Sequence, residues 1–90
     1  MREKLESSIQ SDIIKRLKRR GGFVYKHCPD PAGIPDIHYI EDGHSYFFEV
    51  KRNKDEKPSP LQKYQMRRLK RAGATVKVVW TWKQVAKVFK

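Results

Sequence analysis

The chain has a single cysteine, Cys28, in 90 residues. A lone thiol excludes an intramolecular disulfide framework and a cysteine-rich zinc centre, and makes a reduced, intracellular setting the default expectation. Long apolar runs are missing too: nothing approaches the roughly 20 residues that a membrane-spanning helix needs. Residues 1 to 20 are charged throughout, unlike the basic-then-apolar pattern of a secretory leader. No repeat, low-complexity tract or linker divides the sequence, so residues 1–90 are expected to form a single domain. Acidic residues are scarce as well. Ten Asp and Glu stand against 21 Lys and Arg, a net charge of +11. So strong a positive balance on so small a body favours a polyanionic partner, nucleic acid first and an anionic membrane surface second. A chain of this length also buries only about 60% of its unfolded surface, for which homodimerisation is a common remedy.

The apolar pattern predicts seven elements. Leu5, Ile9, Ile13 and Leu17 recur at helical spacing over residues 3 to 20, with Ile14 widening the stripe and Gly21-Gly22 ending it. Phe23 to Lys26 reads as a short strand, and residues 28 to 35, with three prolines and a glycine, as a loop. Asp36 to Ile40 and Ser45 to Lys51 read as strands joined by a tight Asp42-Gly43 turn, hence a hairpin. Ser59-Pro60-Leu61-Gln62 opens a second helix, with Leu61, Gln65, Leu69 and Ala72 on its expected inner stripe and Gly73 as its stop. A strand over Ala74 to Trp80 and a short helix over Trp82 to Phe89 complete the order αβββαβα, a mixed sheet flanked by helices. Trp80 and Trp82 read as packing or dimer-contact residues rather than base-stacking ones, because no aromatic platform accompanies them.

One constellation points to chemistry. In a hairpin turning at Asp42-Gly43, Asp36 at the start of one strand lies opposite Glu49 at the end of the other, and period-two alternation puts Lys51 on the Glu49 face. Two carboxylates beside an ammonium make a hard-cation site with a positive neighbour. Such a site suits phosphoryl chemistry: the cation leaves positions for water and phosphate oxygens, and the lysine can meet charge growing on the phosphoryl group. Acidic-x-Lys triplets are common in a lysine-rich chain, but charges closing the aromatic and β-branched run Phe47-Phe48-Glu49-Val50-Lys51 are costly without partners. His38 shares the Asp36 face by alternation. His27-Cys28 supplies too few ligands for zinc.

Pro35-Asp36 followed by Glu49-x-Lys51 across a hairpin resembles the PD-(D/E)xK nuclease superfamily. The fuller series resembles the virus-type replication-repair nuclease (VRR-NUC) family. It comprises Glu6-Ser7-x-Ile9-Gln10, Gly33-Ile34-Pro35-Asp36, Glu49-Val50-Lys51, Ser59-Pro60-x-Gln62 and Gly73, in family order from Glu6 to about Val85. The resemblance implies an α/β, PD-(D/E)xK nuclease-like fold with a mixed sheet flanked by helices. It implies that Asp36 and Glu49 hold a metal, with the Val50 carbonyl as a further ligand and Glu6 binding directly or through water. Lys51 is the catalytic lysine it implies, and Gln62 the glutamine near that lysine and the scissile phosphate. Ser59-x-x-Gln62 is also a capping box, and the sequence leaves both roles open. Gln10, Lys26, Lys54 and Lys57 are the expected DNA contacts.

The expected function is therefore a Mg²⁺-dependent DNA endonuclease, with Mn²⁺ able to replace Mg²⁺. Four-way (Holliday) junction cleavage by a homodimer is the leading expectation, since two symmetric sites suit two symmetric cuts. Valines and aromatics over residues 76 to 89 are expected to exceed what a monomer core needs. Flap or other branched-DNA cleavage, and a non-catalytic basic DNA-binding module, are the alternatives. An RNA-binding sheet would need exposed strand aromatics, which the pattern reads as mostly buried. The family implies DNA repair or replication in a phage, a prophage or a bacterial cytoplasm or nucleoid.

Overall fold

The computed structural model describes residues 5–28 and 31–90. Seven elements follow the expected order: α1 (Glu6–Arg20), β1 (Phe23–Lys26), β2 (Ile37–Glu41), β3 (His44–Val50), α2 (Pro60–Arg71), β4 (Thr75–Val79) and α3 (Trp82–Val88). Residues 3 and 4 of the expected first helix, and residues 29 and 30 of the expected loop, lie outside the described residues. The sheet runs β1-β2-β3-β4, with the first two pairings antiparallel and β3–β4 parallel. The β2–β3 turn takes left-handed backbone at both Asp42 (φ 51°) and Gly43 (φ 76°). That backbone twists with the flanking strands, which is why Asp-Gly selects a two-residue hairpin. The parallel β3–β4 pair needs a crossover, and α2 supplies it. Its start has both halves of the capping box, Ser59 Oγ accepting from Gln62 N and Gln62 Oε1 accepting from Ser59 N, with Pro60 at the first helical position.

The core forms where α1 and α3 cover one sheet face. Ile9, Ile13 and Leu17 of α1 meet Ile37 and Tyr39 of β2, Phe48 and Val50 of β3, Val79 of β4 and Val85 of α3. α2 serves the alternate side chains, where Met66 and Val76 are buried. The end of the sheet nearest the hairpin turn is tied by polar bonds. Tyr39 Oη accepts from Gly22 N and donates to Glu41 Oε1, which also accepts from Arg20 Nε.

Four packing expectations change. Leu61 and Ala72 of the expected α2 stripe are exposed, while Met66 is buried; Leu61 is 47% exposed because it covers a loop rather than the sheet. Phe23 and Tyr25 are exposed, since β1 is an edge strand and α2 sits over the far side of the sheet. The apolar surplus expected over residues 76 to 89 is used within the chain: Val79 and Val85 are fully buried, and Trp82, Val88 and Phe89 pack around the core. Leu5 precedes α1 and is exposed.

The loop before β2 is held by α2. Gly33 takes φ 85°, and a Cβ there would lie 2.8 Å from the Leu61 side chain and 3.1 Å from Gln65. Gln65 Nε2 donates to the Ala32 carbonyl at 3.1 Å. Gly33→Ala is therefore expected to lower stability by about 2 kcal/mol, from left-handed backbone cost and the overlap together. Chemical denaturation measures it, and an unchanged midpoint would show that the loop does not rest on α2.

Candidate active site

Ile37 lies opposite Phe48, which sets Asp36 level with Glu49 at the end of the hairpin remote from its turn. The backbone on both sides fixes Asp36. Its Oδ2 accepts from Val50 N at 3.0 Å, and its carbonyl accepts from His27 N at 2.6 Å. Lys51 N donates to the Val79 carbonyl at 2.9 Å, so the parallel ladder holds the start of the next segment.

Glu49 is 2% exposed, and three side chains close on one another there. Its Oε2 accepts from Gln62 Nε2 at 3.1 Å and lies 3.6 Å from Lys51 Nζ. Lys51 Nζ in turn donates to Gln62 Oε1 at 3.2 Å. Gln62 thus caps α2 and also touches the cluster: its oxygen completes the cap and accepts from Lys51, while its nitrogen reaches Glu49. The other Glu49 oxygen, Oε1, is buried with no hydrogen-bond partner among the described residues. Burial pushes the Glu49 carboxyl up to about 7; the Asp36 charge adds to this and Lys51 opposes it. Glu6, in the first turn of α1, is raised by burial and then by the Asp36 charge, with Lys51 opposing.

Gln10 is 7% exposed, and its Oε1 is also buried without a partner among the described residues. It lines a cleft of about 440 Å³ with Lys26, His27, Cys28, Ile34 and Asp36. Gln10 and Lys26 therefore share a cleft with Asp36, whereas Lys54 and Lys57 are exposed on the loop between β3 and α2. His27, which the sequence offers no zinc partners, enters this cleft with a buried Nε2 unpartnered among the described residues. Its only sequence signal is adjacency to Lys26 at the end of a strand. His38 is turned to other uses, bonded to Tyr25 Oη and Ser45 Oγ at 3.0 Å each and stacked on Phe47.

The donors fit a hard divalent cation. No group of three or more His, Cys, Asp and Glu side chains forms a ligand cluster among the described residues. Mg²⁺, however, is commonly held by one or two carboxylates, with water and phosphate completing its shell. An unpartnered buried oxygen on Glu49, beside a second carboxylate whose charge it feels, is the kind of unmet demand a cation satisfies.

Neither a family model nor a curated protein matches the sequence. Seven solved chains do match the structure. One, described as "VRR_NUC domain", is 34% identical with a TM-score of 0.81 over 93% of this chain and 92% of that one. Another, a "VRR_NUC domain protein", has the same TM-score at 18% identity over 98% and 87% of the two chains, a likeness of fold. A four-stranded mixed sheet between helices, with this likeness, defines a small α/β nuclease. The chain belongs to the VRR_NUC family.

Proposed function

We propose that this nuclease is a Mg²⁺-dependent endodeoxyribonuclease selective for branched DNA, with four-way junctions as its leading substrate. The observation that carries the catalytic reading is the buried Glu49, bonded to Gln62, beside Lys51 and in the field of Asp36. Asp36, Glu49 and the Val50 carbonyl would hold the cation, with Glu6 reaching it directly or through water. Bound there, the cation supplies positive charge that stabilises the phosphoryl transition state and acidifies water. Glu49 and Gln62 hold the Lys51 ammonium in place, so that it meets negative charge on the phosphate oxygens without searching rotamers. Gln10 and Lys26 line the adjoining cleft and would bind the DNA backbone there. Lys54 and Lys57 extend the basic surface across the next loop. Phosphate contacts confer affinity without base readout, which suits selection by DNA shape.

The homodimer in this proposal is supported by Phe23 and Tyr25, 64% and 42% exposed on the edge strand β1. Apolar rings on an open strand edge invite cover. Two symmetric sites would then suit two cuts in a junction. Sedimentation together with cleavage of labelled four-way, flap and linear DNA ranks the substrates. A dimer that prefers four-way DNA is expected; a monomer cutting flaps and sparing junctions would remove the resolvase reading.

Gln62 has its own test. Gln62→Glu retains the capping-box acceptor but sets a carboxylate against Glu49 in place of a donor. Its DNA cleavage is expected to fall at least tenfold, while Ser59→Ala, which removes only the cap, lowers stability by about 1 kcal/mol and leaves cleavage near wild type. Equal activity loss in both would assign Gln62 to the helix cap alone.

A further inference from the structure

A second cleft, of about 550 Å³, lies along the open edge of β4, away from the carboxylates, lined among others by Tyr46, Thr75, Lys77, Trp80, Lys87 and Val88. No carboxylate lines it, and Lys77 and Lys87 form no ion pair among the described residues. An aromatic wall with two unneutralised ammonium groups is a mixed surface, apolar for a ring and cationic for phosphate. The aromatic part is held in place. Gln84 Oε1 accepts from Trp80 N at 3.2 Å and from Thr81 N at 2.8 Å, fixing the backbone on which Trp80 stands. At the far end His44 Nε2 and Thr75 Oγ1 are 2.7 Å apart.

The position of the cleft connects it to the active site. Trp80 follows Val79 directly, and the Val79 carbonyl accepts from Lys51 N. The cleft therefore runs the length of β4, from Thr75 to Trp80, which stands at the end of the sheet that carries Glu49 and Lys51. We propose that it binds a single strand of DNA leaving the cut duplex, with backbone phosphates on Lys77 and Lys87 and an unpaired base against Trp80. This rests on the DNA nuclease reading and extends it: Trp80 becomes a sensor of unstacked bases, which branch points expose and continuous duplex does not. This proposal gives Trp80 a base contact in place of the packing or dimer contact read from the sequence, whereas Trp82 packs against the core and sits near Arg16.

The test is a titration of wild-type chain with a fluorescein-labelled single-stranded oligonucleotide without added divalent metal, read by anisotropy and by tryptophan emission. Binding is expected to quench emission in the wild type, and the quench is expected to vanish in Trp80→Phe. In Lys77→Gln/Lys87→Gln affinity should fall at least tenfold, and the slope of log affinity against log salt should lessen by about 1.4, two single-strand phosphate contacts. Cooperative melting of both variants checks that they fold. Anisotropy showing binding with unaltered tryptophan emission and an unaltered salt slope would overturn the cleft and leave the nuclease reading intact. So would an emission change that follows protein concentration without DNA, which would assign the cleft to a second copy of the chain. No single-strand binding by a wild type that still cuts branched DNA would overturn the cleft alone, whereas a wild type that neither binds nor cuts branched DNA would overturn the nuclease-on-DNA reading.

Discussion

Asp36→Asn and Glu49→Ala are each expected to abolish DNA cleavage, and Lys51→Ala to cut it severely, while DNA binding persists. The reason is a division of labour in the charge. On the proposed reading, 21 Lys and Arg spread over 90 residues would supply backbone affinity, and removing any one of these three groups would change that little. The proposed chemistry depends on one small cluster. Losing either carboxylate removes an oxygen donor for the cation and should take turnover below detection. Losing Lys51 removes a donor to the developing charge and should cost on the order of 100- to 1,000-fold, as the loss of one preorganised donor does. Asparagine at position 36 keeps an oxygen that can accept from Val50 N, so the hairpin end stays formed. Single-turnover cleavage and anisotropy on the same samples separate the two properties. Full activity in a pure Asp36 or Glu49 variant would remove that residue from the mechanism.

Glu49→Gln is expected to make the metal-free chain more stable near pH 7.5 and no more stable near pH 5. Glu49 ionises in the folded protein only at about 7, against an ordinary value of 4.5, because it is buried and feels Asp36 and Glu6; Lys51 is the opposing cation. Between those pH values the folded chain holds a proton that the unfolded chain has released. Stability therefore falls as pH rises from about 4.5 to 7, and is fully present below that window. Each pH step of one across that window costs roughly 1.4 kcal/mol, so the loss is of the order of 3 kcal/mol by pH 7.5. Glutamine stays neutral and escapes it. Divalent cation should reverse the order: Mg²⁺ or Mn²⁺ raises the melting temperature of the wild type and leaves Glu49→Gln unmoved. Melting curves of both proteins at pH 5 and pH 7.5, with and without metal, measure these differences. Identical pH profiles for the two proteins would mean that Glu49 carries no such burden.

Much of this arrangement was legible in the residues because its determinants are local. Ile9, Ile13 and Leu17 recur at helical spacing and are the buried stripe of α1. Asp42-Gly43 dictates a turn, and that turn alone places Asp36 against Glu49. Ser59-Pro60-x-Gln62 dictates the start of α2. What escaped the sequence depends on elements far apart in the chain. Leu61 lies outside the α2 core because the loop around Gly33 comes to rest on it. Phe23 and Tyr25 look like any strand aromatics until the strand order makes β1 an edge. The surplus valines and aromatics after residue 76 have no evident destination until α3 folds against α1 and β4. The depth of Glu49 likewise arises from β4 on one side and α2 above. The run Phe47-Phe48-Glu49-Val50-Lys51 marks it as a charge that needs partners, but not how deep it lies.

Cleavage of labelled branched DNA, first with chelator and then with Mg²⁺ or Mn²⁺ restored, tests the central claim most directly. The account predicts intact DNA in chelator and cut strands when either ion returns. Intact DNA under all three conditions, with binding retained, would contradict it and make the chain a basic DNA-binding module. Equal cutting in chelator would contradict the role of the cation.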